Sequence, residues 1–379
     1  MKNLLILFAI LLPVIGFGQK KKKDQAPNVY DLLVGTYTRA EGSKGISVYR
    51  FYAETGKVSY LSQIDGVDNP TFLCVSPDRK FVYSVNANPT GEVSAFNFDY
   101  NSGALKFINK QPSVGAGPSH IIIDKDAENV VVSNYTNGTL SVLPVNKDGS
   151  LAPATQTIIG QGSSVNKQRQ AGPHIHSSIL SPDEKFLIYA DLGTDKLYIN
   201  KYKPGKTPSV VPADIATEQV KPGNGPRHMD YSPDGKFLYL VNEMGAAVNA
   251  YSYDKGKLLF VDSASLAAPG FTGRNSAADI HLSPDGRFLY ATNRGTANEI
   301  IVYTVDQLAG KIEYLTRYAT GQEPRNFVIE PGGRFLLLAN QNSNNIQVYK
   351  IEKSTGYLTP FNTTISIPAP ACLKLVSAE

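Results

Sequence analysis

The chain has 379 residues, of which 42% are hydrophobic, with 32 Gly and 24 Pro, and this composition is typical of a turn-rich β protein. The net charge is only +4 at pH 7, and the Lys and Arg residues are scattered along the chain. A basic stripe is therefore excluded, and no nucleic-acid partner is expected. The length exceeds that of an ordinary domain, but it suits a fold whose core is divided among repeated units.

The N-terminal residues predict export from the cytoplasm. Residues 1–18 contain one Lys and an apolar stretch of about 14 residues, shorter than the roughly 20 that a membrane span needs. We predict a signal peptide at 1–18, with an uncleaved anchor as the alternative, and a periplasmic or extracellular protein without stable membrane insertion. Residues 19–28 are predicted to be a charged leader, and residues 29–379 the folded region.

One motif recurs along the folded region. Its clearest copies are SPDGKFLYLVN at residues 232–242 and SPDGRFLYATN at residues 283–293. Successive copies, aligned on their last residue, are separated by 47 to 57 residues, and these anchor positions are Gly35, Asn86, Asn134, Asp191, Asn242, Asn293 and Asn340. A repeat of about fifty residues made of short strands is the signature of a β-propeller, so seven copies predict seven blades.

The motif also predicts the strands of a blade. Its Pro-Asp-Gly segment favours a tight turn between two antiparallel strands, because Pro fixes φ and Gly accepts positive φ. One apolar run precedes the turn and two more follow the motif, which gives four strands. The chain begins on a second strand at residues 31–37 and ends on a first strand at residues 370–376. The predicted fold is therefore an all-β, seven-bladed propeller of four-stranded antiparallel blades, closed by pairing of the N- and C-terminal strands in one shared blade.

The two cysteines are predicted to be buried free thiols. Cys74 and Cys372 both fall on first strands of neighbouring blades, but they lie two positions out of register. A disulfide in an exported protein is the alternative.

Candidate site residues lie where copies of the repeat differ at a shared position, because the common residues maintain the fold. Five residues before the turn, at the rim of the channel, the occupants are Thr71, Ser119, His176, Arg227, Ala278, Arg325 and Ala371. The residue after the anchor should reach the same rim, and there the sequence has Glu243, Arg294 and Gln341. Three Arg, one His and one Glu are therefore predicted to converge, with ion pairs between blades as the alternative interpretation.

The remaining histidines are interpreted as structural. His120 and His228 come one step nearer the turn, so strand alternation predicts that they face away from the rim. His281 lies two residues before its turn and is expected in the core or in a hydrogen bond. Residues 160–178 lengthen the third repeat and predict a pocket wall that carries Arg169 and His174. His174 and His176 share a predicted strand face, but further ligands are too few, so no metal site is expected.

Four segments carry a resemblance to a known family: GSSVNKQRQAGPHIHS, GPRHMDYSPDGKFLYLVNE, ADIHLSPDGRFLYATNRG and PRNFVIEPGGRFLLLANQ. Together they resemble the seven-bladed lactonase family, which includes the propeller-type 6-phosphogluconolactonases and the fungal carboxymuconate lactonizing enzyme. The likeness covers residues 30–376 approximately. It implies a sugar-lactone hydrolase, or less often a cycloisomerase, with its active site at the channel mouth.

The resemblance also implies roles for particular residues. In the lactonizing branch the functional set looks like a His in PHxHS, an Arg in GPRH, a Glu in VNE and an Arg in NRG. The candidate catalytic residues are therefore His176, Arg227, Glu243 and Arg294. The candidate substrate-binding residues are Arg325, His174, Arg169 and Gln341.

The chemistry of lactone opening fits this set. A base must activate water, positive charge must stabilise the oxyanion, and the ring oxygen needs a proton. Glu243 and His176 are the candidates for base and acid, in an order that the sequence leaves open, and the arginines would bind an anionic lactone. No cofactor is expected, and a monomer is favoured. A propeller that only binds a partner is the alternative from another functional class.

Overall fold

The computed structural model describes residues 28–378, which form seven four-stranded antiparallel sheets. The strands in chain order are β1 (Val29–Thr36), β2 (Gly45–Tyr52), β3 (Lys57–Asp65), β4 (Leu73–Val75), β5 (Phe81–Asn86), β6 (Glu92–Asp99), β7 (Ala104–Pro112), β8 (Pro118–Ile123), β9 (Asn129–Asn134), β10 (Thr139–Pro144), β11 (Gln156–Ile159), β12 (Ile175–Leu180), β13 (Phe186–Asp191), β14 (Lys196–Tyr202), β15 (Val210–Gln219), β16 (Pro226–Tyr231), β17 (Phe237–Asn242), β18 (Ala247–Asp254), β19 (Lys257–Ser265), β20 (Asn275–Leu282), β21 (Phe288–Gly295), β22 (Glu299–Val305), β23 (Ile312–Ala319), β24 (Pro324–Ile329), β25 (Phe335–Asn340), β26 (Asn345–Ile351), β27 (Leu358–Ser366) and β28 (Pro370–Ser377).

The ring closes through a blade that both ends of the chain build. Its strand order is β28-β1-β2-β3, and β28 pairs antiparallel with β1 from Tyr30↔Ser377 to Thr36↔Pro370. We call this sheet blade 1 and number the others in chain order, so that blade 7 is β24–β27. The sequence-based prediction of the fold and of its closure is thus confirmed.

The turn of the repeat is held by its own side chains. In the four copies that begin with Ser-Pro, the Ser Oγ accepts the N–H of the Phe five residues later at 2.9–3.0 Å. The same hydroxyl donates to the Asp two residues later at 2.7 Å. Gly235 and Gly286 then adopt a φ of 72°, as the Pro-Asp-Gly pattern predicted.

The core lies between neighbouring blades rather than inside one sheet. Side chains alternate along β1, so Leu32 and Val34 pack against blade 7, in a cluster with Leu337. Leu33 faces the other way and packs against blade 2, in a cluster with Val82. Each blade therefore buries both of its faces only because the ring is closed.

Other predictions from the sequence concern the cysteines and the N-terminus. Cys74 and Cys372 are both free and buried, which confirms that interpretation. Within residues 28–378 the structure has no helix that is long and apolar enough to cross a membrane. The predicted signal peptide and residues 19–27 of the leader lie outside the described residues.

Candidate active site

The innermost strands of the blades share an irregularity that aims side chains into the channel. In β16 the partners of β17 skip from Pro226 to His228, so Arg227 is left unpaired in a bulge. The same register shift leaves His176 unpaired in β12, Arg325 in β24 and Ser119 in β8. Because a bulge re-aims the side chain that it releases, four residues from four blades turn toward the axis.

These bulged residues line one cavity of about 330 Å³ at a channel mouth. Thr71, at the same aligned position, also contributes, whereas Ala278 and Ala371, the other two residues of that alignment, do not. Glu243 and Arg294 join them from the ends of second strands. The cavity is accordingly built by separate blades, and none of them could form it alone.

A buried carboxylate lies at the centre of the charged groups. Oε2 of Glu243 is 3.0 Å from Nε of Arg227 and 3.2 Å from Nη2 of Arg294, and Oε1 is 2.7 Å from Nη2 of Arg169. Burial by itself raises the pKa of Glu243, but the positive charges, led by Arg294 and Arg227, outweigh it and lower the pKa to about 2. Glu243 is therefore ionised at neutral pH and cannot act as a proton donor.

Arg227 is almost fully buried and held on two of its three nitrogens. Nε donates to Glu243, while Nη1 bonds to Nε2 of His228 at 3.0 Å and to the carbonyl oxygen of Ala278. Burial, together with the charge of Arg294, lowers the pKa of Arg227 to about 9, so it stays positive at pH 7. Within residues 28–378, Nη2 has no hydrogen-bond partner, which leaves it for a ligand in the cavity.

Arg294 and Arg325 differ in how they are held. Arg294 donates to the carbonyl oxygen and hydroxyl of Ser276 at 3.0 and 2.9 Å, in addition to its contact with Glu243. Arg325 instead lies over the ring of Tyr37, with 5.0 Å from Cζ to the ring centroid. No carboxylate of the described residues lies within ion-pair distance of Arg325. It is consequently the guanidinium of this cavity that is most available to an anion.

His176 is buried and neutral. Burial, followed by the nearby charge of Arg227, lowers its pKa well below the usual 6.5. Nε2 lies 4.0 Å from Oε2 of Glu243, and Nδ1 has no hydrogen-bond partner among residues 28–378. Nδ1 is buried, whereas Nε2 lies next to the carboxylate and makes no hydrogen bond among the described residues, so Nε2 is the nitrogen that can accept a proton.

The lengthened third repeat does provide a wall of the site. Arg169 reaches from it to Glu243 and to the hydroxyl of Tyr135 at 3.2 Å. Arg169 does not line the site cavity itself; it lines an adjoining cavity of about 470 Å³, which shares Glu243 and Ser276 with the first. The segment was expected to form a pocket wall, and it contributes His176 to the site cavity and Arg169 to the adjoining one.

Two predicted substrate-binding residues lie elsewhere. His174 does not line the cavity, since its ring stacks on Tyr135 at 4.7 Å and Nδ1 contacts the carbonyl oxygen of the same residue at 2.8 Å. Gln341 also lies outside it, and its amide donates to Asn342 at 3.4 Å. His174 therefore contacts Tyr135, a residue that lines the cavity, whereas within residues 28–378 the Gln341 side chain makes no hydrogen bond to a lining residue.

Tyr135 is a lining residue that the sequence reasoning missed. It follows the anchor Asn134, as Glu243 follows Asn242. The position after the anchor, applied to every copy of the repeat, predicts Tyr135 as well. Tyr37, which supports Arg325, escaped because β1 has a bulge between Gly35 and Thr36 that shifts the position by one residue.

His120 and His228 do not line the site cavity, as expected, but His228 is not on the opposite side of its strand from Arg227, since Nε2 of His228 contacts Nη1 of Arg227. Each follows a bulged residue, so simple alternation fails at that point. Their rings form a layer across the channel, with centroids 5.5 Å apart and with His228 5.1 Å from His176. This layer separates the site from a cavity of about 450 Å³ at the opposite mouth, which contains His281. His281 is hydrogen-bonded as expected, at 3.3 Å from Asp279.

A metal centre is not supported by the arrangement of side chains. Across residues 28–378, no group of three or more His, Cys, Asp or Glu side chains could hold a metal ion. The positive charge that the site offers a ligand comes from arginines.

Comparison with known proteins places the chain in a family. A model of the lactonase family, described as a 7-bladed β-propeller, matches residues 31–375. A 6-phosphogluconolactonase of Formosa agariphila is 36% identical over 353 residues, which cover 91% of this chain and 99% of the relative. A 6-phosphogluconolactonase of Bacillus subtilis is 33% identical over 347 residues, covering 90% and 97%.

A solved structure agrees with these matches. The periplasmic gluconolactonase of Pseudomonas aeruginosa superposes with a TM-score of 0.88 at 35% identity, over 93% of this chain and 100% of that one. The family match therefore spans all seven blades and the cavity that they build. The chain belongs to the lactonase family of seven-bladed β-propellers.

Proposed function

We propose that this protein hydrolyses a sugar lactone to its open acid in the cavity between Glu243 and Arg325. The observation that carries the proposal is the buried carboxylate that gathers three arginines beside a neutral histidine, at the mouth of a lactonase-family propeller. Relatives that are named for 6-phosphogluconolactone and for gluconolactone support a sugar lactone as the substrate class.

The charges of the cavity favour an anionic or strongly polar lactone. Arg325 has no carboxylate partner in the described part of the chain, and it lies at the cavity with Arg227 and Arg294. A guanidinium can bind a carboxylate, a phosphate or a carbonyl oxygen through two parallel N–H groups. Arg325 would therefore bind the anionic group of the substrate.

We assign the base to His176 rather than to Glu243. Two guanidinium groups already occupy Oε2 of Glu243, the carboxylate oxygen nearest to His176. The neutral imidazole takes a proton from water while the water oxygen bonds to the lactone carbonyl carbon. Glu243, 4.0 Å away, then stabilises the imidazolium that forms.

The arginines stabilise the negative charge that develops on the substrate. As water adds, negative charge develops on the carbonyl oxygen, and Nη2 of Arg227 is placed to donate to it. When the intermediate collapses, the bond between the carbonyl carbon and the ring oxygen breaks. The imidazolium of His176 returns its proton to that oxygen, so the base of the first step is the acid of the second.

We further propose that the protein is exported. The apolar residues near its N-terminus, followed by Lys20–Lys23, fit a secretory signal, and the gluconolactonase of P. aeruginosa is described as periplasmic. An exported enzyme would act on lactones outside the cytoplasm. Fractionation of cells that express the full chain, with detection of the protein in the periplasm or medium, would test this.

The activity is tested by titrating the acid released from glucono-δ-lactone and its 6-phosphate, above the spontaneous rate. His176→Ala should reduce turnover by about 10²-fold or more, the usual contribution of a general base. Its side chain is replaced without leaving a buried charge, so the variant should fold. A folded variant with wild-type turnover on both lactones would exclude His176 as the base. Isomerisation of a carboxymuconate without acid release from either lactone would instead favour the cycloisomerase.

A further inference from the structure

A chain of buried polar groups continues from Arg227 away from the cavity. Nη1 of Arg227 lies 3.0 Å from Nε2 of His228, and Nδ1 of His228 lies 2.8 Å from Oδ1 of Asp279. Asp279 belongs to the next blade, and its Oδ2 accepts the backbone N–H of Phe327 at 3.0 Å and the amide of Asn326 at 2.5 Å, both from blade 7. Three blades therefore hold one carboxylate behind the arginine.

The direction of every hydrogen bond in this chain is fixed. A guanidinium can only donate, so Nε2 of His228 must accept from Arg227. The proton of the neutral ring is then on Nδ1, which donates to Asp279. Burial, and after it the charge of Arg227, lowers the pKa of His228 to about 3, which keeps the ring neutral. Asp279 in turn is ionised, because its partners, led by His281, hold its pKa well below the usual 3.8 against the effect of burial.

We propose that His228 and Asp279 are positioning residues of the lactonase reaction: together they set the plane of the Arg227 guanidinium so that its Nη2 points at the substrate. The proposal rests on the hydrolytic function argued above. Glu243 binds Nε and His228 binds Nη1, and two bonds on different nitrogens fix the orientation of a planar group. Without His228, Nη1 keeps only its bond to the carbonyl oxygen of Ala278, so the guanidinium is held less firmly and Nη2 can move away from the oxyanion.

The substitution Asp279→Asn tests this with little change of shape. Two N–H groups point at Oδ2, so the amide must place its oxygen there and its NH₂ group toward His228. The NH₂ group donates, which forces Nδ1 of His228 to accept and moves the ring proton to Nε2. Nε2–H then faces the donating Nη1 of Arg227, and that hydrogen bond is lost.

The expected result has a spectroscopic and a kinetic part. The ¹⁵N shifts of His228, one of five histidines, should change from the Nδ1–H to the Nε2–H form in Asp279→Asn. The kcat should fall by about 10²-fold, since misplacing a catalytic group by an ångström can cost that much, while KM changes little. Asp230→Asn is the matched control, because Asp230 contacts His281 at 3.6 Å and makes no hydrogen bond to His228 or Asp279 among the described residues. It should change neither the tautomer nor kcat.

A pair of variants at His228 keeps the test valid if Asp279→Asn does not fold. His228→Gln supplies an amide oxygen near the position of Nε2 and should retain kcat within about tenfold, whereas His228→Leu supplies no acceptor and should lose about 10²-fold. Equal kcat values for the two would overturn the positioning role, as would an inverted tautomer in Asp279→Asn with normal kcat. Full activity of Arg227→Ala would instead contradict the proposed function of the site.

Discussion

Replacement of Glu243 by Gln should destabilise the protein through two buried arginines. The amide has the shape of the protonated carboxyl group, so the substitution removes the charge and little else. The structure lowers the pKa of Glu243 from the usual 4.5 to about 2, and that shift corresponds to about 3 kcal/mol of stabilisation by the ionised form. Glu243→Gln leaves Arg227 and Arg294 buried without their carboxylate, a situation known to cost about 3–5 kcal/mol.

The loss should depend on pH with a definite sign. A carboxylate whose pKa is depressed in the folded state stabilises the protein above its unfolded pKa and loses that effect as pH falls toward its folded pKa. The difference in unfolding free energy between wild type and Glu243→Gln should therefore be about 3 kcal/mol at pH 7 and remain so down to pH 5. By pH 3 it should shrink to less than half, and near pH 2 it should approach zero.

Urea unfolding, followed by tyrosine fluorescence at several pH values, measures this difference. The matched control is Glu323→Gln, because Glu323 lies 3.9 Å from Arg294 and keeps more contact with solvent. That pair should contribute less than about 1 kcal/mol at any pH. A loss for Glu243→Gln that does not vary with pH, or that equals the loss for Glu323→Gln, would refute the assignment of Glu243 as the ionised centre of the cluster.

Two further predictions concern the substrate and the ring. Arg325→Ala should raise KM about tenfold or more for acidic lactones and clearly less for neutral ones, because it removes the guanidinium most available to an anion. The exposed Arg287→Ala is the control, and equal changes on both kinds of lactone would count against anion binding. Deletion of residues 370–379 removes β28, the partner of β1, and should abolish cooperative thermal unfolding; an unchanged melting temperature would contradict closure by that strand.

The repeat allowed most of the architecture to be predicted because one physical unit recurs. The Ser-Pro-Asp turn satisfies its own backbone groups, so it forms the same hairpin wherever it occurs. The positions of Arg227 and Glu243 at the rim followed from counting residues from that turn. Counting residues from the turn locates these positions because the first strand begins at the rim of the channel at the same distance from its turn in each blade.

Counting residues from the turn did not predict the side-chain directions where a bulge interrupts regular strand pairing. The bulge at Arg227 makes Arg227 and His228 contact the same buried network, although alternation predicts opposite faces for consecutive residues. A bulge leaves no distinct residue pattern here, since Pro226-Arg227 and Pro118-Ser119 read as ordinary strand entries. The hydrogen-bond network that reaches Asp279 could therefore be identified only from the folded structure.

The bulges and the closed ring have to act together to make this site. Arg227, Arg294 and Arg325 come from blades 5, 6 and 7 and repel one another. Burial and then the charges of Arg294 and Arg325 lower the pKa of Arg227, and burial and then the charge of Arg325 lower the pKa of Arg294. Side chains on flexible loops would separate under that repulsion. Arg227 and Arg325, in bulges of innermost strands, and Arg294, at the end of a second strand, cannot, because each strand is fixed by its own sheet and by both neighbouring blades. Glu243 neutralises part of the positive charge. The positive charge that remains can stabilise an anionic substrate or the oxyanion formed from it.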